Sequence, residues 1–315
     1  MSDRLDVSIE TVARLIAEQF PQWADLPVSP VRHSGWDNRS LRLGEAMLVR
    51  LPSAAGYVPQ VEKEHRWLPY LAKRLPLPIP EPLAKGKPSQ DYPFPWSVYR
   101  WLDGEPLALQ LPGTDLVQLA RDVAAFLSVL HAVDASDGPP AGAHNFHRGG
   151  SLLAYDAEAR AAIEAVSDEV DAGLAREIWE VALKSHWRGK PVWVHGDIAE
   201  GNLLMQGGWL SAVIDFGSSG VGDPASDLII AWNVLHAQSR AVFRQALPLD
   251  AGTWQRGRGW ALWKAMIVLA AERGRDATLS EWSRRTIRDV MADHLSIGPK
   301  IGIDFRKARC VDSES

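Results

Sequence analysis

Apolar residues at Ile9, Val12, Ala13, Ile16 and Phe20 repeat along one helical face behind Ser8, whose hydroxyl suits an N-cap, and Pro21 closes the run. A short amphipathic first helix is predicted. Residues 28–52 change to β-branched and alternating text with turn material at 34–38 and 43–45, the pattern of a small antiparallel sheet. A second helix is expected over 59–74, with Pro59 suited to a first helical position, and the proline-dense stretch 76–82 breaks it. Strands follow at 81–84 and 96–102. The turn Asp103-Gly104-Glu105-Pro106 is read as a linker, dividing the chain into 1–102 and 103–315.

Beyond the linker the pattern is mostly helical, with Leu116, Leu119, Ala120, Val123, Leu127 and Leu130 along one face. The exception is residues 192–216, where a buried-strand pattern runs into a loop and then a hairpin. No internal repeat interrupts this order.

With 315 residues, 46% of them hydrophobic and 23% charged, the chain has the balance of a globular protein and exceeds what one core usually serves. Two lobes with a ligand cleft between them are expected. A net charge of -5 without any basic run excludes nucleic acid as the expected partner. The single cysteine, Cys310, excludes an intrachain disulfide and a cysteine-based metal site. No stretch has the pattern of a signal peptide or a membrane span, so a cytoplasmic location without membrane contact is expected. The 14 tryptophans, clustered at Trp254, Trp260 and Trp263, are read as core and pocket walls.

Chemistry concentrates in the hairpin region. The strand 192–194 leads into His195-Gly196-Asp197, Asn202 lies five residues beyond Asp197, and Gly207-Gly208 forms a two-residue turn before Asp215-Phe216-Gly217. If Gln206 pairs with Trp209, counting puts Asn202 opposite Val213 and Asp215 two residues farther along the same mouth. Both side chains can then reach one hard cation through oxygen, and magnesium is the obvious candidate. Asp197, on the loop feeding this hairpin, is positioned to accept a hydrogen bond from an incoming hydroxyl. Protein kinases divide labour in the same way.

In these residues the chain resembles the aminoglycoside phosphotransferase and choline kinase superfamily: His195-Gly196-Asp197 with Asn202, then Ile214-Asp215-Phe216-Gly217, then Gly222-Asp223-Pro224-Ala225-Ser226-Asp227-Leu228. The resemblance implies an α+β, protein-kinase-like bilobal fold with a small β-rich N-lobe and a larger helical C-lobe carrying the catalytic hairpin. It implies Asp197 as catalytic base or substrate-orienting carboxylate, and Asn202 and Asp215 as magnesium ligands. His195 is read as structural. Asp223 and Asp227 suit helix capping, and Asp227 is also read as a support for the catalytic-loop backbone.

Kinase-like folds hold the α- and β-phosphates with a cation on the third strand, paired to a glutamate on the next helix. Here the cation is Arg50, where lysine is common. Glu64 is its expected partner, because it alone is a carboxylate among Val61, Leu68, Leu71 and Leu75, whereas Glu62 points away. Ser34 lies in the turn expected over the phosphates. By resemblance, adenine rests on the backbone near Arg100 and Leu102, and Tyr99 could bias the site toward guanine. ATP is the expected donor, with GTP as the alternative. The expected acceptor is a hydroxyl on an aminoglycoside or related antibiotic, with choline, a sugar or homoserine as runner-up and a chemically silent nucleotide binder as the outside reading. Asp156, Glu200 and Glu272 are candidates to line a cationic acceptor pocket.

Overall fold

The computed structural model describes residues 4–31 and 37–297. The first helix, α1 (Ile9–Gln19), begins at Ser8, whose Oγ accepts from the Thr11 amide at 3.2 Å. Its buried face is Val12, Leu15 and Ile16. Ala13, expected on that face, is exposed and Leu15 takes its place, since the short element sits in one rotation against the sheet. The strands β1 (Val28–Pro30), β2 (Asn38–Leu43), β3 (Met47–Pro52), β4 (Pro82–Gly86) and β5 (Trp96–Arg100) form an antiparallel sheet in the order β1-β2-β3-β5-β4. Helix α2 (Val58–Ala72) lies between β3 and β4 in sequence, with Pro59 in its first turn as predicted and Pro69 inside its last turns.

Alternation in β3 decides the division of labour in the N-lobe. Met47, Val49 and Leu51 enter a core shared with α1, Trp96 and Val98. Period two then sends Leu48 and Arg50 to the other face. Helix α2 turns Val61, Leu68 and Leu71 inward, and Lys63 and Glu64 are buried with them.

The chain continues through β6 (Glu105–Pro106), α3 (Leu107–Gln110), α4 (Leu116–Ala132), α5 (Asp156–Ala165) and α6 (Ala172–Lys184). The strands β7 (Val192–Val194), β8 (Leu203–Gln206), β9 (Trp209–Val213) and β10 (Gly220–Gly222) form two small sheets, β6-β8-β9 and β10-β7. The helices α7 (Ile230–Asn233), α8 (Ala237–Ala246), α9 (Ala251–Glu272) and α10 (Ala277–Ile297) complete the C-lobe. Helix α9 is buried around most of its circumference and forms the axis of this lobe. Gly257 and Gly259 permit that: a Cβ on Gly259 would lie 2.6 Å from Ala182 Cβ. Trp179, Trp193, Trp232 and Trp260 are fully buried in the same core, as expected of the tryptophans. The architecture is an antiparallel N-lobe sheet and a helical C-lobe.

Among the described residues, no helix is long and apolar enough to cross a membrane.

Candidate active site

Strand β7 is buried at Trp193 and Val194, and the chain leaves it through a sharp bend at Gly196, where φ is 83°. No other residue fits there, because a Cβ would lie 2.5 Å from the Ser218 carbonyl oxygen. Asp227, fully buried, fastens the bend: its carboxylate accepts from the His195 amide at 3.2 Å and the Gly196 amide at 2.7 Å. His131 Nε2 lies 3.2 Å from the same group. The support expected of Asp227 is present, while the turn's own cap is Asp223, which accepts from the Ala225 amide and is paired with Arg256 at 2.6 Å.

His195 is used up by the backbone. Its Nδ1 accepts from the Asp197 amide at 3.2 Å, which leaves Nε2 to donate to the Ile214 carbonyl at 3.0 Å. The ring packs edge-on against Phe216 with centroids 4.6 Å apart. This histidine joins the two arms of the site and activates nothing.

Asp197 emerges partly exposed. One carboxylate oxygen accepts from Lys264 Nζ at 2.8 Å, and the other from Asn202 Nδ2 at 3.1 Å. Burial pushes the carboxyl up, but Lys264, with Arg148 behind it, outweighs burial and holds it at about 2. The group is therefore a permanent anion at neutral pH.

Asn202 commits its amide nitrogen to Asp197, to the side chain and to the carbonyl oxygen at 2.9 Å, so its own Oδ1 is kept out of that pairing. The hairpin that brings it to Asp215 turns at Gly207 and Gly208, with φ of 60° and 86°, as the two glycines predict. Its register differs from simple counting. Met205 pairs with Leu210 but Leu204 pairs with Ala212, so Ser211 is an extra residue in β9. The Ile214 amide therefore donates to Asn202 O, and Asp215 stands one residue beyond the partner of Asn202 rather than two. The bulge keeps both residues at one mouth.

Asp215 has φ 65°, a left-handed conformation unusual outside glycine that turns its side chain out of the strand path. Arg50 bridges Asp215 at 3.1 Å and Glu64 at 3.4 Å. The predicted Arg50–Glu64 pair is present, and Glu62 is exposed and bound to Lys85 instead. The guanidinium is buried, which disfavours its charge, yet Glu64 and Asp215 reverse that and raise its pKa.

The Arg100 amide donates to Glu81 O at 2.9 Å and its guanidinium pairs with Glu81. Leu102 follows the last sheet-bonded residue, Trp101, whose amide donates to Ala46 O. The Tyr99 hydroxyl donates to Glu64, which joins this ring to the Arg50 network. Ser34 lies outside the described residues.

Lys63, Lys264 and Arg148 were not foreseen. Lys63 Nζ donates to Gly217 O at 2.6 Å and Ser219 O at 3.0 Å, tying α2 to the loop after Asp215. Lys264 did carry a signal, as the one charge between Arg258 and Glu272 in an otherwise apolar run. Arg148 carried none. Conversely, Asp156 is not free to line a pocket, since Arg160 and Trp179 Nε1 hold it at 2.8 and 2.7 Å.

Compared with known families, residues 28–261 match the sequence model of the phosphotransferase enzyme family (APH). The chain belongs to the phosphotransferase enzyme family. Solved members resemble it in fold at low identity. The GDP complex of wild-type aminoglycoside 2'-phosphotransferase-IIIa superposes with a TM-score of 0.67 at 20% identity, covering 91% of this chain and 99% of that one. A macrolide 2'-phosphotransferase from Brachybacterium faecium gives 0.58 at 22%, covering 89% and 97%. A thermostable mutant of the aminoglycoside phosphotransferase APH(4)-Ia, in ternary complex with AMP-PNP and hygromycin B, gives 0.58 at 21%, covering 90% and 98%. A search of curated proteins found no match. For this phosphotransferase-family chain, the superpositions show a shared kinase-like fold.

Proposed function

We propose that the chain transfers the γ-phosphoryl group of a magnesium-bound nucleoside triphosphate to a hydroxyl of a small molecule. The observation that carries this reading is that two networks, Lys264–Asp197–Asn202 and Asp215–Arg50–Glu64, are brought side by side by the hairpin, where the Ile214 amide donates to Asn202 O. Acceptor, metal and phosphate functions each have a side chain of suitable chemistry at one mouth.

The metal fits the donors present. Asn202 keeps a carbonyl oxygen out of its bonds to Asp197, and Asp215 is 35% exposed. Burial and the neighbouring Asp215 charge push the Asp37 carboxyl up, a sign of negative charge concentrated where a divalent cation is favourable. Asn202 and Asp215 are its ligands in this reading, and bound magnesium neutralises phosphate charge.

Asp197 acts on the acceptor hydroxyl. At a pKa of about 2 it is a poor proton acceptor, so its part is to align the hydroxyl for in-line attack. The acceptor oxygen bonds to the γ-phosphorus as the bond to the bridging oxygen breaks. The electron pair leaves on the nucleoside diphosphate, and the hydroxyl proton passes by way of Asp197 to solvent once the oxygen has become acidic. Arg50 supplies a fixed charge beside the phosphates, held in place by Glu64 and Tyr99. An arginine anchored in this way weakens the case for a silent nucleotide binder.

ATP is the proposed donor, with GTP tested alongside. The lobes divide near the 103–106 turn, and the cytoplasm is the proposed location. Similar folds solved with kanamycin, gentamicin and hygromycin B support a small organic acceptor. A metabolic acceptor is the second reading, favoured by the cations beside Asp197. Release of ADP or GDP on addition of an acceptor, with and without magnesium, tests the whole proposal. Equal release in the presence of chelator would refute it.

A further inference from the structure

Two cations, Arg148 and Lys264, lie beside Asp197. Arg148 follows the turn at Ala143–Asn145 and is only 8% exposed. Its side chain runs against the catalytic bend, where a Cβ on Gly196 would lie 2.8 Å from Arg148 Cβ and 3.0 Å from its Cγ. The guanidinium stacks on two indoles of α9, 4.8 Å from the ring centroids of Trp260 and Trp263. Among the described residues it makes no ion pair, and its buried Nε and Nη1 have no hydrogen-bond partner.

The charges that face it are already committed. Asp197 is held by Lys264 and Asn202, and Glu158 accepts from Trp263 Nε1 at 2.8 Å. Burial lowers the Arg148 pKa, and the fields of Asp197, Tyr155 and Glu158 do not restore it. Arginine does not shed its proton in proteins, so a guanidinium buried this deeply is costly until an anion reaches it. The indole faces offset part of that cost. Lys264, next to Trp263 on α9, adds a second cation within bonding distance of Asp197. Glu200, the acid left near Lys264, is also matched by Arg285, and Asp156 is engaged by Arg160.

We propose that Arg148, with Lys264 beside it, receives an anionic group of the phosphoryl acceptor, so that the substrate is a hydroxy acid or a hydroxyl-bearing phosphate monoester rather than an aminoglycoside. This rests on the phosphotransferase reading above and names its substrate class. The hydroxyl is met by Asp197, and the carboxylate or phosphate of the same small molecule by the guanidinium. A polycation would have to bring ammonium groups against both cations.

The first test needs no turnover. Thermal melts of the wild type and Arg148→Met are compared in sodium sulfate and in sodium chloride of equal ionic strength, with and without saturating Mg-ADP. Sulfate is expected to raise the wild-type Tm by about 2 °C or more beyond the general salt stabilisation seen in Arg148→Met, and to retain part of that excess in Arg148→Lys. Should Arg148→Met not fold, Lys264→Gln, altered at a partly exposed position, is expected to show a reduced sulfate shift. No sulfate shift in the wild type, or an undiminished one in these variants, overturns the proposal.

The second test measures ADP release with glycerol, D-glycerate, glycerol 3-phosphate and kanamycin. One of the two anions is expected to exceed glycerol and kanamycin in kcat/KM by about tenfold or more, and which one distinguishes carboxylate from phosphate. Arg148→Met is expected to raise the KM of that acceptor about tenfold and leave the nucleotide KM unchanged. Preference for kanamycin, or a defect confined to the nucleotide KM, overturns the assignment. If Mg-ADP does not bind at all, the phosphotransferase reading fails, while the nucleotide-free sulfate melts still judge Arg148. If none of the four acceptors is used, the sulfate melts decide alone.

Discussion

Lys264 Nζ stands 2.8 Å from Asp197 Oδ1, although 67 residues separate the two in sequence. The pair holds the Asp197 carboxyl at about 2, and in the proposed reaction it would favour alignment of the acceptor over early proton abstraction. Its sign in pH follows directly. The folded pKa lies below the unfolded value, so the pair contributes stability above the ordinary carboxylate pKa and loses it as pH falls toward about 2.

Replacing Lys264 with glutamine removes the cation and leaves the burial. The Asp197 pKa then rises, and the acid limb of the kcat profile moves into the measurable range. Wild-type kcat is expected to stay flat between pH 7 and pH 5 as far as Asp197 governs it, while the variant declines over that interval. Superimposable profiles would show that Lys264 does not set the charge of Asp197.

Asp197→Asn keeps the shape and removes the anion. Turnover should fall by about 100-fold or more, the scale of losing a group that acts in the transition state, with nucleotide affinity within a few-fold of wild type. Single-turnover kinetics and nucleotide titration separate the two quantities. A variant with normal turnover would exclude this carboxylate from the chemistry.

Asp215→Ala removes a proposed metal ligand and one partner of Arg50. Mg-ADP affinity should drop to the level seen with chelator, while metal-free binding changes little. Calorimetry with and without magnesium is the measurement, and an unchanged magnesium dependence would contradict the ligand assignment.

Asp227→Ala leaves the amides of His195 and Gly196 buried without their acceptor. A loss of about 2–4 kcal/mol is expected, the cost of stranding buried donors. Urea denaturation reads it. A loss below about 1 kcal/mol would mean that water or a neighbouring group replaces the carboxylate.

What could be read from the chain beforehand was local. Glu64 stood out because helical period surrounds it with apolar residues, and the Gly207-Gly208 turn because few sequences permit its backbone. The Ser211 bulge left no trace, since one added residue in β9 changes neither composition nor alternation enough to detect. Side chains that meet only through packing were equally silent. Tyr99 of β5 reaches Glu64 of α2, and Arg148 reaches the catalytic bend from a loop with no motif of its own. Lone charges in apolar stretches, such as Lys264, are the residues for which the chain gave notice.

The two bonds from Lys63 to the carbonyl oxygens of Gly217 and Ser219 couple the halves of the protein mechanically. Helix α2 carries Glu64 on one side and this latch on the other, so it cannot swing away with the sheet unless both bonds part. Because Arg50 of β3 and Tyr99 of β5 are both bonded to Glu64, the sheet, α2 and the loop after Asp215 are held as one mechanical unit.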